Sequence, residues 1–118
     1  MTSNNPAYIV IWLRSLAFWI VFPVSLVLFA TLLLLTVPFS LRTRWALVQR
    51  WVHFILWWLR VTCKLRHEVQ GAEHITPEAG IVFAKHQSTW ETIALQQIFP
   101  LQVWVAKREL MWIPFFGW

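Results

Sequence analysis

The chain has 118 residues, of which 58% are hydrophobic, 17% are aromatic and only 13% are charged. Because soluble domains carry about 25% charged residues, this composition argues against an ordinary soluble protein and indicates contact with lipid. Ten tryptophans and a single tyrosine strengthen that interpretation, since tryptophan favours the membrane–water boundary. The single cysteine, Cys63, excludes an internal disulfide and a cysteine-based metal cluster, and we expect it to be a reduced apolar residue.

The first predicted element is a membrane anchor over residues 15–39, which contain no charged residue. This stretch exceeds the ~20 residues that span a bilayer as a helix. It also exceeds the 7–15-residue apolar core of a secretory signal, so we predict an uncleaved anchor. Pro23 is expected to kink the helix because proline removes a backbone donor, which leaves both crossing and insertion into one leaflet open.

A basic run follows the anchor, with six basic residues and no acidic residue between Arg42 and Arg66. Such a run can bind nucleic acid or an anionic membrane surface. Trp, Leu, Ile and Val interrupt it here, rather than Gly, Ser and Asn, so the sequence favours the membrane and predicts no nucleic-acid partner. The excess of Lys and Arg after the anchor places that side in the cytoplasm.

A second helix is predicted from Ser40, as its cap, to about Arg60. Arg42, Gln49, His53 and Arg60 recur at helical spacing and form a narrow polar stripe. The remaining surface is broadly apolar, as expected for a helix lying in the membrane interface. Packing against the first helix is the alternative, and both can hold. The apolar face comprises Trp45, Trp51, Phe54, Ile55, Trp57 and Trp58.

Three strands and one helix are predicted beyond this point. Residues 61–70 alternate between apolar and polar side chains, which is typical of a half-buried strand. The apolar run 81–84 predicts a buried strand, and 102–106 predicts a third one. Between them, residues 88–98 can form a helix that stops near Pro100. Because strands alternate with helices, we predict an α/β domain with some parallel pairing.

The expected architecture is therefore a pair of N-terminal membrane helices followed by the start of a mixed α/β domain. Residues 1–60 would form the membrane anchor and interfacial helix, and residues 61–118 the N-terminal part of the second domain. About fifty residues after the anchor are marginal for an independent core. The apolar end at 115–118 is a poor terminus for a finished domain, so we expect a truncated chain.

The segment 85–91 contains the first candidate for chemistry. His86 follows a predicted buried strand, where α/β proteins gather ligands, and a histidine there can act as a general base. Glu91 could accept the other ring N–H and fix the tautomer if the chain turns between them. The alternative is structural: Ser88 and Glu91 match a capping box, in which each side chain bonds the other's backbone N–H. The residues alone do not decide between these roles.

The segment 107–117 contains the second candidate. Lys107 and Arg108 follow another predicted strand and could together hold a phosphate, the lysine as a point charge and the arginine as a planar fork. A solvated ion pair with Glu109 is the alternative. The four histidines are scattered and Asp is absent, so no metal and no cofactor is predicted.

The two segments together resemble a known family. A His-x-x-x-x-Asp/Glu pattern, here His86 to Glu91, is followed about twenty residues later by Lys-x-Glu-Leu-x-x-Ile-Pro-x-x-Gly, which begins at Lys107. In that order, behind a hydrophobic N-terminus, they resemble the lysophosphatidic acid acyltransferases, or 1-acylglycerol-3-phosphate acyltransferases. Residues 69–73 also look like the family's approach to the first motif, and the resemblance covers about residues 65–118.

The resemblance implies roles for individual residues. His86 would deprotonate the free glycerol hydroxyl of a lysophospholipid, and Glu91 would orient His86. The hydroxyl would then attack the thioester of acyl-CoA or acyl-carrier protein without an acyl-enzyme, while Lys107 contacts the acceptor's phosphate. Two positions depart from the family pattern: Glu91 replaces the commoner Asp, and Lys85 stands where Asn often precedes the histidine. The family's Glu-Gly-Thr-Arg-like third motif and proline-centred fourth motif do not occur in these residues.

The function expected from the resemblance is conversion of lysophosphatidic acid to phosphatidic acid in phospholipid biosynthesis. The protein would sit in a membrane, in the bacterial inner membrane with its catalytic side cytoplasmic, and these 118 residues alone would lack a complete acceptor site. The alternative from a different class is a small non-catalytic protein that binds a membrane or lipid surface. That alternative accounts for the anchor and the amphipathic helix but leaves the two ordered motifs unexplained.

Overall fold

The structure is a computed structural model that describes residues 6–85, 87–99 and 101–113. Helices account for 67% of these residues. Three of them are α-helices and two are short 3-10 turns. The α-helices are α1 (Pro6–Leu35), α2 (Leu41–Cys63) and α3 (Thr89–Ile98), and the 3-10 turns are Ala72–His74 and Arg108–Trp112.

Helix α1 is the predicted anchor, although it starts nine residues earlier than the uncharged stretch. Pro6 suits a first helical position because its missing N–H has no partner there in any case. The 30-residue helix continues without interruption through Pro23 and is about 45 Å long. In the part of the chain that the structure describes, α1 is the one helix long and apolar enough to cross a membrane. Almost none of it is buried, which is unlike the core helix of a soluble protein.

Helix α2 begins where the sequence predicts and ends three residues later. Ser40 caps it, since the Ser40 Oγ accepts a hydrogen bond from the backbone N–H of Thr43 at 3.3 Å. Lys64 follows the last helical residue and adopts a left-handed conformation (φ 57°), in which glycine is most common. Near this end, the Thr62 hydroxyl donates to the Trp58 carbonyl at 2.6 Å, a bond made within the helix.

Helices α1 and α2 pack against each other through aromatic and branched side chains. Val52 and Ile55 of α2 are completely buried, at 0% and 1% exposure. Phe22 of α1 lies against Trp51, with ring centroids 6.1 Å apart. The Trp51 indole N–H donates to the Ser25 hydroxyl at 3.3 Å, and that hydroxyl donates to the Phe22 carbonyl at 2.9 Å. Packing of the second helix on the first is thereby confirmed.

Helix α3 also packs against α2. Ile93 joins Val52 and Ile55 in one apolar cluster, and Ala94 is also buried. The Gln49 side-chain amide donates to the Gln96 carbonyl near the end of α3. In a longer helix that carbonyl would accept from residue 100, but proline has no N–H to give. The Gln49 side chain therefore supplies this carbonyl with the hydrogen-bond donor that Pro100 lacks.

The predicted α/β fold is wrong for the residues that the structure describes, because none of them forms a strand. Residues 61–63 continue α2, while the remainder of the predicted strand 61–70 and the predicted strands 81–84 and 102–106 are irregular. A strand needs a partner for its N–H and C=O groups, and these segments have no ladder in the described structure. Their apolar side chains are not buried either: Phe83 and Val103 are 93% and 95% exposed.

Candidate functional site

The first motif lies at the start of α3. His86, the predicted base, lies outside the described residues. Lys85 and Gln87 on either side of it are exposed, and α3 begins at Thr89. The predicted helix over 88–98 is confirmed, with Ser88 in an extended conformation as its cap.

Glu91 folds back over the chain that leads into α3. Its Oε2 accepts a hydrogen bond from the Ser88 backbone N–H at 2.7 Å and one from the Ser88 hydroxyl at 3.2 Å. The Gln87 N–H is shared between Oε1 and Oε2, at 3.3 Å from each. Ser88 in return accepts from the backbone at the third helical position, so the predicted capping box is confirmed.

These hydrogen bonds also set the charge of Glu91. The backbone N–H of Ser88 is the main reason why the pKa of Glu91 lies below its ordinary value of 4.5. Partial burial acts in the opposite direction, and the Ser88 hydroxyl and the Gln87 N–H lower the pKa further. The side chain is therefore a carboxylate at neutral pH, placed at a helix N-terminus where negative charge is favoured.

The cap and the predicted orienting role are compatible in geometry. The hypothesis requires the chain to turn between residues 86 and 91, and Glu91 does reach back to the backbone of Gln87, the residue after His86. Two ionised oxygens offer about four lone-pair sites. Both hydrogen bonds from Ser88 are made to Oε2, while Oε1 accepts from the Gln87 N–H. The carboxylate therefore holds the turn that the orienting role requires.

A contact that the sequence analysis missed lies beside this turn. The His67 ring meets the edge of Trp90, with ring centroids 5.3 Å apart and planes at 69°. Trp90 precedes Glu91, so the contact links the chain after α2 to the capped turn. The sequence does not reveal this contact, because the two residues are far apart in the chain. His67 also belongs to the segment 61–70, which is predicted as a strand.

Lys107 and Arg108, the predicted phosphate-binding pair, stand at the start of the second 3-10 turn. Both are exposed. In the described part of the chain the one ion pair joins His74 to Glu73, so the alternative of an ion pair with Glu109 is not observed. Extensive packing between elements joins α1 to α2 and α2 to α3, and it does not join this turn to α3. The described residues therefore do not assemble the two motifs into one packed site.

The described structure thus combines one long apolar helix, α1, with a capped carboxylate turn at the start of α3. A 1-acyl-sn-glycerol-3-phosphate acyltransferase of Pseudomonas aeruginosa is 38% identical over 109 residues, which are 90% of this chain and 42% of that protein. A protein of the same name from Saccharomyces cerevisiae is 40% identical over 52 residues, which are 43% of this chain and 17% of that protein. The chain belongs to the 1-acyl-sn-glycerol-3-phosphate acyltransferase family.

The chain spans less than half the length of either relative. No family model matches it, and no solved structure gives a significant match. The names of the two relatives confirm the family resemblance read from the two motifs. The apolar α1, together with these relatives, indicates association with a membrane.

Proposed function

We propose that the protein encoded by the full reading frame transfers an acyl group to the free hydroxyl of 1-acylglycerol 3-phosphate, which yields phosphatidic acid. Both relatives are named for this acceptor. The donor is an acyl thioester, carried by coenzyme A or by acyl-carrier protein. The anchor and interfacial helix, residues 1–60, hold the enzyme on the membrane in which its acceptor dissolves.

His86 acts as the general base in this proposal. It removes the proton of the glycerol hydroxyl as the oxygen attacks the thioester carbonyl carbon. The carbon–sulfur bond then breaks, and the proton passes from the imidazolium to the departing thiolate. No acyl-enzyme forms. An imidazole suits both steps because its unperturbed pKa, about 6.5, lies near neutral pH.

Glu91 orients His86, and its geometry is the observation that carries the proposal. An ionised carboxylate is held on the backbone of Gln87 and Ser88 by several hydrogen bonds. A fixed carboxylate that accepts one imidazole N–H holds the other ring nitrogen free to take a proton, and it stabilises the imidazolium that forms. Glutamate is one methylene longer than the commoner aspartate, and the backward fold over Ser88 takes up that length.

Lys107 and Arg108 bind the acceptor's phosphate in the proposed enzyme. Both cations are exposed, and neither forms an ion pair with the other described residues. Because Lys107 and Arg108 are adjacent in the chain, their side chains can both contact the same phosphate. The catalytic side faces the cytoplasm, and the membrane is the bacterial inner membrane. The Arg-rich start of α2 supports this orientation.

The test of the proposed base is His86→Ala in the product of the full reading frame. We expect acyl transfer from a labelled acyl thioester to lysophosphatidic acid to fall by about 10²–10⁴-fold. The variant should remain in the membrane fraction in undiminished amount, because the anchor is unchanged. Gln87→Ala, one residue along, is the matched control and should keep most of the activity. Undiminished turnover in His86→Ala would reject the assignment.

The two roles of Glu91 are separated by comparing Glu91→Gln with Ser88→Ala. Glutamine has the same size but is a weaker acceptor, so the rate should fall while the protein stays folded. Ser88→Ala weakens the cap but leaves the carboxylate, so stability should fall while the rate per folded molecule holds. Glu91→Asp, which restores the commoner family residue, should keep more activity than Glu91→Gln. Equal rates in the wild type and Glu91→Gln would show that Glu91 is a cap alone.

A further inference from the structure

A concave site lies at the corner where α1 ends and α2 begins. It has a volume of about 410 Å³. Its lining combines two arginines and two hydroxyl side chains around one small residue, Ala46. The lining residues are Thr36, Arg42, Thr43, Ala46, Leu47 and Arg50.

The spacing on α2 explains the shape of this corner cavity. Arg42, Ala46 and Arg50 follow one another at intervals of four, so they form a single row along the helix. Ala46 carries only a methyl group, which leaves a gap between the two long guanidinium side chains. Arg42 and Arg50 therefore stand at the two ends of this row in the cavity lining, with Ala46 between them.

The electrostatics of the cavity favour an anion. Residues 1–67 contain no Asp or Glu, so neither helix of the corner supplies a carboxylate. The ion pair observed in the described residues lies elsewhere, between Glu73 and His74. The N-terminus of α2 adds partial positive charge beside Arg42. Two guanidinium groups without a carboxylate partner are well matched to a phosphate.

A second cavity, of about 540 Å³, adjoins the first. Arg42 and Ala46 line both cavities, while Leu41, Trp45 and Leu101 make the second one largely apolar. A cavity with two arginines in its lining, next to a second cavity lined by Leu41, Trp45 and Leu101, offers the combination of charge and apolar surface that an amphiphile requires.

The corner also lies at the level expected for a lipid headgroup. Between Arg14 and Arg42 no charged residue occurs. The 21 helical steps from Arg14 to Leu35 would span about 32 Å, close to the thickness of the hydrocarbon core. An arginine just beyond the end of such a helix, as Arg42 is, is placed among lipid phosphates.

We propose that this corner binds the phosphate of an anionic membrane lipid between Arg42 and Arg50, with an acyl chain of that lipid against Trp45 and Leu101. The site is separate from the acyl-transfer motif. Leu101 follows the C-terminal end of α3, whereas Glu91 lies in its first turn, and α3 is about 15 Å long. The bound lipid is a structural ligand that fixes the corner of the two helices at the membrane surface.

The experiment measures lipid binding directly, so it is independent of the proposed acyl transfer. The chain in neutral detergent is titrated with phosphatidylglycerol or with phosphatidylcholine, and bound lipids are counted by native mass spectrometry. We expect saturable binding of one phosphatidylglycerol and at least about tenfold weaker binding of phosphatidylcholine. An equal concentration of inorganic phosphate should not displace the lipid. Displacement would identify a site for free phosphate and overturn the proposal.

Two variants test whether the cavity itself is the site. The double variant R42Q/R50Q should lose phosphatidylglycerol binding by about tenfold or more, whereas R60Q/K64Q, which removes the same charge from the far end of α2, should retain it. Equal losses in both would indicate diffuse attraction and overturn the proposal. Ala46→Leu fills the gap and keeps every charge, so it should also prevent binding. Full binding by a folded Ala46→Leu protein, with unchanged helicity by circular dichroism, would rule out the cavity.

Discussion

The two helices over 6–63 and the chain that follows them differ in charge and in packing. The first region has no acidic residue, and all five acidic residues of the chain lie between Glu68 and Glu109. Val52 and Ile55 of α2 are buried by side chains of α1 and α3. After α2, by contrast, α3 is the only α-helix in the described part of the chain, and extended apolar segments around it are exposed.

This difference follows from where helices and strands obtain their backbone hydrogen bonds. A helix pairs its own N–H and C=O groups four residues apart, so an apolar sequence such as that of α1 specifies it without outside help. A strand needs a second strand for its backbone hydrogen bonds, and the local sequence does not specify which segment that partner is. The apolar runs at 81–84 and 102–106 thus have strand composition without strand pairing in the described structure.

The largest expected effect comes from breaking the packing of the first region. Ile55 is 1% exposed and sits in the cluster shared by all three α-helices. Ile55→Ala leaves a cavity and should lower the free energy of unfolding by about 2–5 kcal/mol. Denaturant unfolding in detergent, followed by tryptophan fluorescence, measures the change.

Val61→Ala is the matched control for that measurement. Val61 lies on the same helix and is also branched, but it is 52% exposed. Its substitution should change the free energy of unfolding by less than about 0.5 kcal/mol. Similar losses for the two variants would mean that the cluster does not hold the helices together.

The next effect concerns the junction of the two regions. Gln49→Leu keeps most of the side-chain volume but removes the donor to the Gln96 carbonyl. The carbonyl would lose its partner, at a cost of about 1–3 kcal/mol in the local stability of α3. Hydrogen exchange of the α3 amides should accelerate accordingly, while exchange in the middle of α1 stays the same.

Gln97→Ala serves as the control at the junction. Gln97 is exposed and is next to Gln96. Exchange in α3 should be nearly unchanged in this variant. If Gln49→Leu also leaves the α3 amides unchanged, the bond between the two helices contributes nothing measurable to α3.

A smaller effect is expected at the N-terminus of α3. Ser88→Ala removes the hydroxyl that caps this helix and should cost about 1 kcal/mol. Ser88→Gly should cost only a few tenths, because glycine is also tolerated at this position. Thermal unfolding monitored by the α3 amide signals compares the two. Equal costs for alanine and glycine would contradict a role for the hydroxyl.

The smallest effect is a pH dependence confined to the second region. The pKa of Glu91 is lower in the folded chain than its ordinary value of 4.5, so folding favours the ionised form. This contribution to the free energy of unfolding is fully present above about pH 4.5. It is lost as the pH falls through the lower pKa that Glu91 has in the folded chain. Exchange of the first α3 amides should therefore accelerate, beyond its intrinsic pH dependence, as the pH falls below about 4.5. Glu91→Gln should remove this component.

Much of the helical structure was predictable from particular residues. Ser40 and Ser88 mark the starts of α2 and α3 because a side-chain oxygen at a cap position satisfies a backbone N–H that the helix leaves open. The three-residue spacing of Ser88 and Glu91 likewise specified the capping box. The order of the two motifs, from His86 to Lys107, indicated the family that the relatives confirm. The roles of those residues and the two-domain division stay predictions.

The three α-helices could be located from the sequence, because helix hydrogen bonds, caps and apolar spacing are all local. Only the tertiary structure decided that Trp51 bonds Ser25, that Gln49 completes the end of α3, and that His67 stands against Trp90. It also decided that the predicted strands lack partners among the described residues. Contacts between residues distant in sequence depend on how whole elements pack, and no local spacing encodes that arrangement.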